Sequence, residues 1–190
     1  MTFDFKGFNM EDNLWTRRGW MQAVAAGTAG VTLSGAAQAA KPISVRVVNK
    51  AGYDKIINAY KGNVVVVDCW ATWCVPCRKG FPKTVEMAKA YADKGVFVVS
   101  LCFDDPVKGQ VPDKVKEFLV KENAQFENLV SSLDISDDGA EVFAIPDGAL
   151  PHFKIYGKDG KLFKTFESGE DKEFTHEEIE AAVKAALKAK

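Results

Sequence analysis

The strongest constraint on the fold is a buried-strand pattern that leads into a helix start carrying two cysteines. Four consecutive valines at residues 64–67 form a β-branched run, which is typical of a strand buried on both faces of a sheet. A long helix is predicted to follow at residues 74–92, with Pro82 inside it as a kink. A strand covered on both faces needs helices above and below its sheet. The sequence therefore predicts an α/β fold.

The other segments from residue 43 onward alternate between strand and helix patterns. Further strands are predicted at residues 43–48, 96–103, 126–130, 152–156 and 162–166, and further helices at 53–60, 112–121 and 137–143. A glycine-bearing turn joins the last two strands as a hairpin. The final helix begins at Thr175 with a capping box that includes Glu178. This order predicts a three-layer α/β/α sandwich around one central mixed sheet.

The first 39 residues have the pattern of a secretory signal peptide. Arg17 and Arg18 precede a weakly apolar, Ala/Gly-rich stretch, which ends in the cleavage pattern Ala37-Gln38-Ala39. Paired arginines are typical of twin-arginine signals, a class of bacterial export signal. We predict a signal peptide at residues 1–39, a folded domain at residues 40–190 and a periplasmic location. An Ala-rich leader without an export role and a retained anchor are the alternatives.

Composition narrows the classes of function. The chain has 190 residues, 47% of them hydrophobic, which is enough for one well-buried domain. Its 25 basic and 26 acidic residues give no bulk charge that would favour nucleic acid, so no nucleic-acid partner is predicted. Four cysteines are too few for a scaffold held by disulfides. Two of them, Cys69 and Cys102, fall in or beside predicted strands and are interpreted as small buried hydrophobes, with a disulfide between them as the alternative.

The other two cysteines, Cys74 and Cys77, form a C-x-x-C pair at a predicted helix N-terminus. Unpaired backbone N–H groups and the helix dipole stabilise a thiolate there, so the pKa of such a cysteine falls from about 8.5 to between ~3.5 and ~7.5. We predict that Cys74 is the exposed nucleophile and that Cys77 is the more buried resolving thiol. Half of a zinc site has the same spacing, but the sequence has no second C-x-x-C and only two histidines. No metal and no cofactor is therefore predicted.

The string Asp-Cys-Trp-Ala-Thr-Trp-Cys-Val-Pro-Cys-Arg at residues 68–78 resembles the thioredoxin superfamily, and most of all its TlpA-like periplasmic oxidoreductases. The resemblance covers residues 41–190, and Pro82 matches the family's helix-kinking proline. It implies a thioredoxin-like fold and a thiol–disulfide oxidoreductase, acting as a reductant on disulfide-bearing exported proteins. Cytochrome c or oxidase maturation is the implied setting, with a membrane electron donor. A monomer is expected.

The resemblance also implies which residues contact the substrate. Pro151 matches the family's cis-proline, which faces the active disulfide; Pro146 is the competing candidate, in an ordinary turn sequence. Substrate contacts are expected at four residues, Trp73, Pro76, Leu150 and Pro151. Trp70, in contrast, is predicted to lie in the core.

Asp68 ends the valine run and is predicted to be a buried acid whose pKa is raised. The matching acid of thioredoxins helps to deprotonate the resolving thiol, so the resemblance implies a general-base role for Asp68. A strand-end aspartate that accepts backbone hydrogen bonds is the alternative. TlpA-like proteins often carry a glutamate three residues after the second cysteine, where this chain has Gly80.

Two other functions, copper handling and peroxidase activity, would involve the same part of the sequence. His152, which follows Pro151, is expected to be a hydrogen-bonded surface histidine, with pKa tuning and metal binding as alternatives. A copper-handling protein would use Cys74, Cys77 and His152, because soft thiolates favour Cu(I). A peroxidase is disfavoured, because Ala71 and Val67 stand where peroxiredoxins have threonine and proline.

Overall fold

One mixed β-sheet organises the computed structural model, which describes residues 42–169 and 173–189, without the side chain of Asp137. Its six strands are β1 (Val45–Val48), β2 (Val64–Trp70), β3 (Val96–Cys102), β4 (Glu127–Ser131), β5 (His152–Tyr156) and β6 (Leu162–Glu167). They lie in the order β1-β4-β3-β2-β5-β6. The first four of these run parallel, whereas β5 and β6 run antiparallel to their neighbours.

The described part of the chain forms five α-helices. They are α1 (Lys50–Ala59), α2 (Val75–Tyr91), α3 (Asp113–Lys121), α4 (Asp137–Val142) and α5 (His176–Lys188). Helix α1 begins three residues earlier than predicted, because the Asn49 side chain accepts a hydrogen bond from Gly52 N at 2.9 Å and caps it. The capping box of Thr175 and Glu178 is present at the start of α5.

The valine run explains why helices lie on both faces. Alternate side chains of a strand point to opposite faces, and all seven residues of β2 are buried. Val64 and Val66 pack in one cluster with residues of α2 and α5. Val65 and Val67 pack in another with residues of α1. The predicted α/β sandwich with a central mixed sheet is confirmed.

The central position of β2 fixes where the two cysteines lie. Strands β2 and β3 are parallel, so both deliver their carboxyl ends to the same edge of the sheet. The segment from β2 to α2 therefore crosses that edge beside the loop that follows β3. In open α/β sheets, this edge is where ligands and reactive groups gather.

The predicted signal peptide, with Arg17, Arg18 and the cleavage pattern at residues 37–39, lies outside the described residues. Among the helices within residues 42–169 and 173–189, none has the length and apolar character needed to cross a membrane.

Candidate active site

The site is built around the start of α2. Cys74 is the N-cap residue of this helix, and its Sγ accepts a hydrogen bond from Cys77 N at 3.3 Å. A disulfide joins the two residues, whose Cα atoms are 5.3 Å apart. One sulfur thus lies at the helix terminus itself and the other one turn further along. The positive end of the helix dipole favours a thiolate at Cys74 once the disulfide is reduced.

The predicted exposure of Cys74 is wrong for this disulfide form. Cys74 is 5% exposed and Cys77 is 4% exposed, so exposure does not distinguish them. Both belong to an apolar cluster with Ala71 and Phe81, against which the half-buried Leu150 packs. The difference between the two cysteines lies instead in their surroundings, because Cys77 and Asp68 both line a cavity that reaches the surface at the exposed residues Pro76 and Glu173.

Asp68 lies beneath α2, where the sequence predicts it. It is 3% exposed, and its Oδ2 accepts a hydrogen bond from Thr84 Oγ1 at 2.6 Å. Burial raises the pKa of the Asp68 carboxyl to about 7, although the Thr84 hydrogen bond opposes that shift. The predicted burial and raised pKa are both found. A carboxyl group with such a pKa exchanges its proton near neutral pH.

The cavity has a volume of about 330 Å³. Three of the residues expected to contact substrate line it, Pro76, Leu150 and Pro151. The Leu150–Pro151 peptide bond is cis, as predicted, whereas Pro146 lies in a short 3₁₀ turn, Pro146–Gly148. Trp73 is the fourth expected contact residue; it is 56% exposed and is not among the residues that line the cavity.

Asp104 is a residue of this site that sequence reasoning missed. It lies two residues after the end of β3 and is buried. Its carboxylate accepts hydrogen bonds of 2.6 Å from both the backbone N and the Oγ1 of Thr72, and one of 3.1 Å from Cys102 Sγ. Lys114 forms an ion pair with the same carboxylate. These bonds hold the segment immediately before Cys74 against the end of β3.

Replacement of Asp104 by asparagine is expected to destabilise the protein by about 1–3 kcal/mol, because one amide oxygen cannot replace both carboxylate oxygens. Burial by itself raises the pKa of Asp104, but the Lys114 and Thr72 contacts lower it overall. A lowered folded-state pKa means that the stabilisation exists above about pH 4 and disappears as the pH falls through the folded-state value. Urea unfolding of wild type and Asp104→Asn at pH 7 and pH 3 measures how much of the stability difference between them disappears at low pH.

The matched control for Asp104→Asn is Asp105→Asn, because Asp105 is the exposed neighbour. The free energy of unfolding of Asp105→Asn is expected to stay within about 0.5 kcal/mol of the wild-type value, as for most surface substitutions. Equal losses of stability in both variants would contradict the role assigned to Asp104.

The remaining cysteines lie on opposite faces of the sheet. Cys69 packs in the cluster with α1, and Cys102 in the cluster with Cys74 and Cys77. Both are buried free thiols, as the interpretation of small buried hydrophobes predicts. In the parallel register Cys102 pairs with Trp70 rather than with Cys69. Trp70 is itself fully buried, as predicted, with its ring centroid 4.9 Å from that of Phe81.

The prediction of a hydrogen-bonded surface histidine at residue 152 is wrong. His152 is 1% exposed, and neither ring nitrogen has a hydrogen-bond partner among the residues that the structure describes. It pairs with Cys69 in the antiparallel register, so its side chain lies on the face of the sheet away from α2. Burial, with a smaller effect of the nearby Lys154, lowers the pKa of His152 to about 4. Within residues 42–169 and 173–189, no three His, Cys, Asp or Glu side chains are grouped so that they could hold a metal ion.

Comparisons with known proteins agree with this geometry. The model of the Redoxin family matches residues 36–183. Thiol-disulfide oxidoreductase ResA of Bacillus thuringiensis is 30% identical over 118 residues, which cover 60% of this chain and 60% of ResA. The match thus spans less than two thirds of that relative.

Solved structures have the same fold. A Chlorobium tepidum protein assigned as thiol:disulfide interchange protein DsbE superposes with a TM-score of 0.55 at 24% identity, covering 69% of this chain and 84% of that one. A secreted Mycobacterium tuberculosis disulfide oxidoreductase homologous to Escherichia coli DsbE gives a TM-score of 0.51 at 21% identity, covering 67% and 85%. At these identities the similarity establishes the thioredoxin-like fold.

Proposed function

This chain belongs to the Redoxin family, and we propose on that basis that it is a thiol–disulfide oxidoreductase whose reactive pair is Cys74 and Cys77. One observation carries the proposal: Cys74 of the Cys74–Cys77 disulfide caps helix α2, and Cys77 lines the same cavity as the buried Asp68. A sulfur at a helix N-terminus favours the thiolate, and the buried acid that shares the cavity with the second cysteine provides a proton acceptor.

The proposed reaction has two exchange steps. In the reduced protein, the Cys74 thiolate attacks a substrate disulfide, forms a mixed disulfide and releases one substrate thiolate. Cys77 then transfers its proton to Asp68 and attacks Cys74 Sγ. The mixed disulfide breaks, the Cys74–Cys77 disulfide forms, and the second substrate sulfur leaves as a thiolate that takes a proton from solvent. Two electrons pass from the cysteine pair to the substrate.

We propose the reducing direction because the string at residues 68–78 resembles that of TlpA-like reductants. Asp68, which shares a cavity with Cys77, would accelerate the attack of Cys77 that completes the reduction of a substrate, and it would accelerate the reverse step equally. The expected reduction potential lies toward the thioredoxin end of the range, about −270 mV, rather than the DsbA end, about −120 mV. A role in cytochrome c or oxidase maturation and a membrane electron donor rest on the motif's resemblance and stay predictions.

Reduction of insulin disulfides by the protein, with dithiothreitol as electron source, tests the proposal. Catalytic amounts are expected to raise the rate above that of dithiothreitol alone, and alkylation of the reduced Cys74 is expected to remove the effect. A rate equal to the uncatalysed one would reject the activity. A Cu(I) titration of the same samples tests the copper-handling alternative.

We also propose export, which Arg17 and Arg18 of the sequence support together with the secreted relative. Replacement of both arginines by lysine is expected to leave the precursor in the cytoplasm, whereas wild type yields a mature N-terminus near Ala40. Cell fractionation and N-terminal sequencing measure both. Undiminished export of the double-lysine protein would exclude a twin-arginine signal.

A further inference from the structure

His176 lies against the face of α2 that carries the resolving cysteine. It is the first residue of α5, and a Cβ added at Gly80 would lie 3.0 Å from its Cε1 and 3.5 Å from its Nε2. Cys77, Gly80 and Thr84 are spaced three and four residues apart on α2, so they share one face of that helix. A side chain at position 80 would therefore displace the imidazole by a few tenths of an ångström, whereas glycine leaves it in place.

The same imidazole lines the cavity that Asp68 and Cys77 line. The ring is half-buried, with Nε2 shielded from solvent and without a hydrogen-bond partner among the described residues. Burial lowers the pKa of His176 below its usual value; Glu177 opposes that shift and Lys83 adds to it, both more weakly than burial. Neutral imidazole is therefore the main form at neutral pH, and it has a nitrogen free to accept a proton.

The buried position of Asp68 creates a need for such a group. In each cycle Asp68 takes a proton from Cys77 and must return it to solvent, yet it is only 3% exposed. Its one hydrogen-bond partner among the described side chains, Thr84, donates a proton to it and does not carry one away. The cavity of about 330 Å³ has room for several water molecules between these groups.

We propose that His176 relays the proton between Asp68 and solvent. It is thus a positioning residue, which acts on the resolving step through Asp68. This inference rests on the proposed function. After Cys77 has attacked Cys74 Sγ, protonated Asp68 gives its proton to His176 through water in the cavity, and imidazolium releases it to bulk solvent. After this transfer Asp68 is again a carboxylate and His176 again a neutral imidazole, the forms that both had before Cys77 lost its proton.

Several ionisable groups surround the relay and would shape its pH dependence. On α2 these are Lys83 and Glu86, on α5 Glu177, and along the cavity Asp68, Cys77 and Glu173. Substitution of His176 leaves all of them in place. A change confined to the His176 variant therefore reports on the imidazole itself.

The test is the rate at which a preformed mixed disulfide resolves in single turnover, with His176→Ala as the variant. We expect resolution to slow about tenfold at pH 7, less than the roughly 10²–10⁴-fold that a general acid or base itself contributes. Added imidazole should restore the rate in a concentration-dependent way in His176→Ala and leave wild type unchanged. Exogenous imidazole can carry a proton, but it cannot repair a misplaced helix.

Lys188→Gln is the matched control, because Lys188 is an exposed residue of α5 outside the groups that act on His176, and its variant should resolve at the wild-type rate. His176→Gln, which retains bulk above Gly80, replaces His176→Ala if that variant does not fold. An unchanged resolution rate would overturn the relay, and so would a slowed rate that imidazole does not restore. Failure of wild type to reduce insulin at all would instead reject the proposed function, so the two outcomes are distinguishable.

Discussion

Replacement of Cys74 by serine is expected to lower insulin reductase activity by roughly 10³-fold or more, because a serine hydroxyl at this position does not form a mixed disulfide. The physical basis is the location of Cys74 Sγ at the N-terminus of α2, where the helix dipole stabilises a thiolate. Steady-state turnover of insulin with dithiothreitol measures the loss.

Cys77→Ser should differ from Cys74→Ser in one respect. It retains the first attack, so a single stoichiometric burst of substrate thiol remains while turnover is lost. Cys69→Ala is the matched control, because Cys69 is a fully buried free thiol. Burial raises the pKa of that thiol to about 12, with a smaller opposing effect of Lys154, so we expect the variant to keep wild-type activity. A large loss in Cys69→Ala, or none in Cys74→Ser, would contradict the assigned pair.

Asp68→Asn is expected to make the protein more stable while it slows resolution. The folded-state pKa of about 7 lies above the unfolded value of about 3.9. Folded Asp68 therefore keeps a proton that the unfolded chain has lost, and stability falls as the pH rises from about 4 to about 7. A difference of three pKa units corresponds to about 4 kcal/mol of folding stability, which wild type loses over this pH range. Asparagine stays uncharged, so Asp68→Asn would not lose this stability.

The stability difference between Asp68→Asn and wild type should thus be small at pH 4 and reach its full size above pH 7. Urea unfolding across this range measures it, with Asp105→Asn as the exposed carboxylate control. In single turnover at pH 7 the same variant should resolve mixed disulfides roughly 10²-fold more slowly, as expected on loss of a general base. A variant that is less stable than wild type but resolves normally would make Asp68 a structural hydrogen-bonding residue instead.

The features that the sequence predicted well are those encoded locally. The valines at residues 64–67 determine a strand buried on both faces, and the capping box at Thr175 determines where α5 begins. Asp68 was predictable as a buried acid for the same reason, since it continues a strand whose every residue is buried. In each case the deciding information lies within a few residues of the feature.

The features that sequence reasoning missed depend on contacts between distant segments. Cys74 is buried in a cluster whose other members include residues far along the chain, such as Cys102 and Val115. Asp104 reaches Thr72 only because β3 pairs with β2 in parallel. The side of the sheet on which His152 lies follows from its register with Cys69, which no local pattern specifies.

The most direct test of the central claim is to map the covalent intermediate. Cys77→Ser protein is reduced, freed of reductant, mixed with insulin and quenched with acid, and its peptides are then identified by mass spectrometry. We predict an insulin peptide joined by a disulfide to Cys74, with Cys69 and Cys102 recovered as free thiols, since both are buried. Absence of a mixed disulfide, or its attachment to Cys69 or Cys102, would contradict the assignment of Cys74 as the nucleophile.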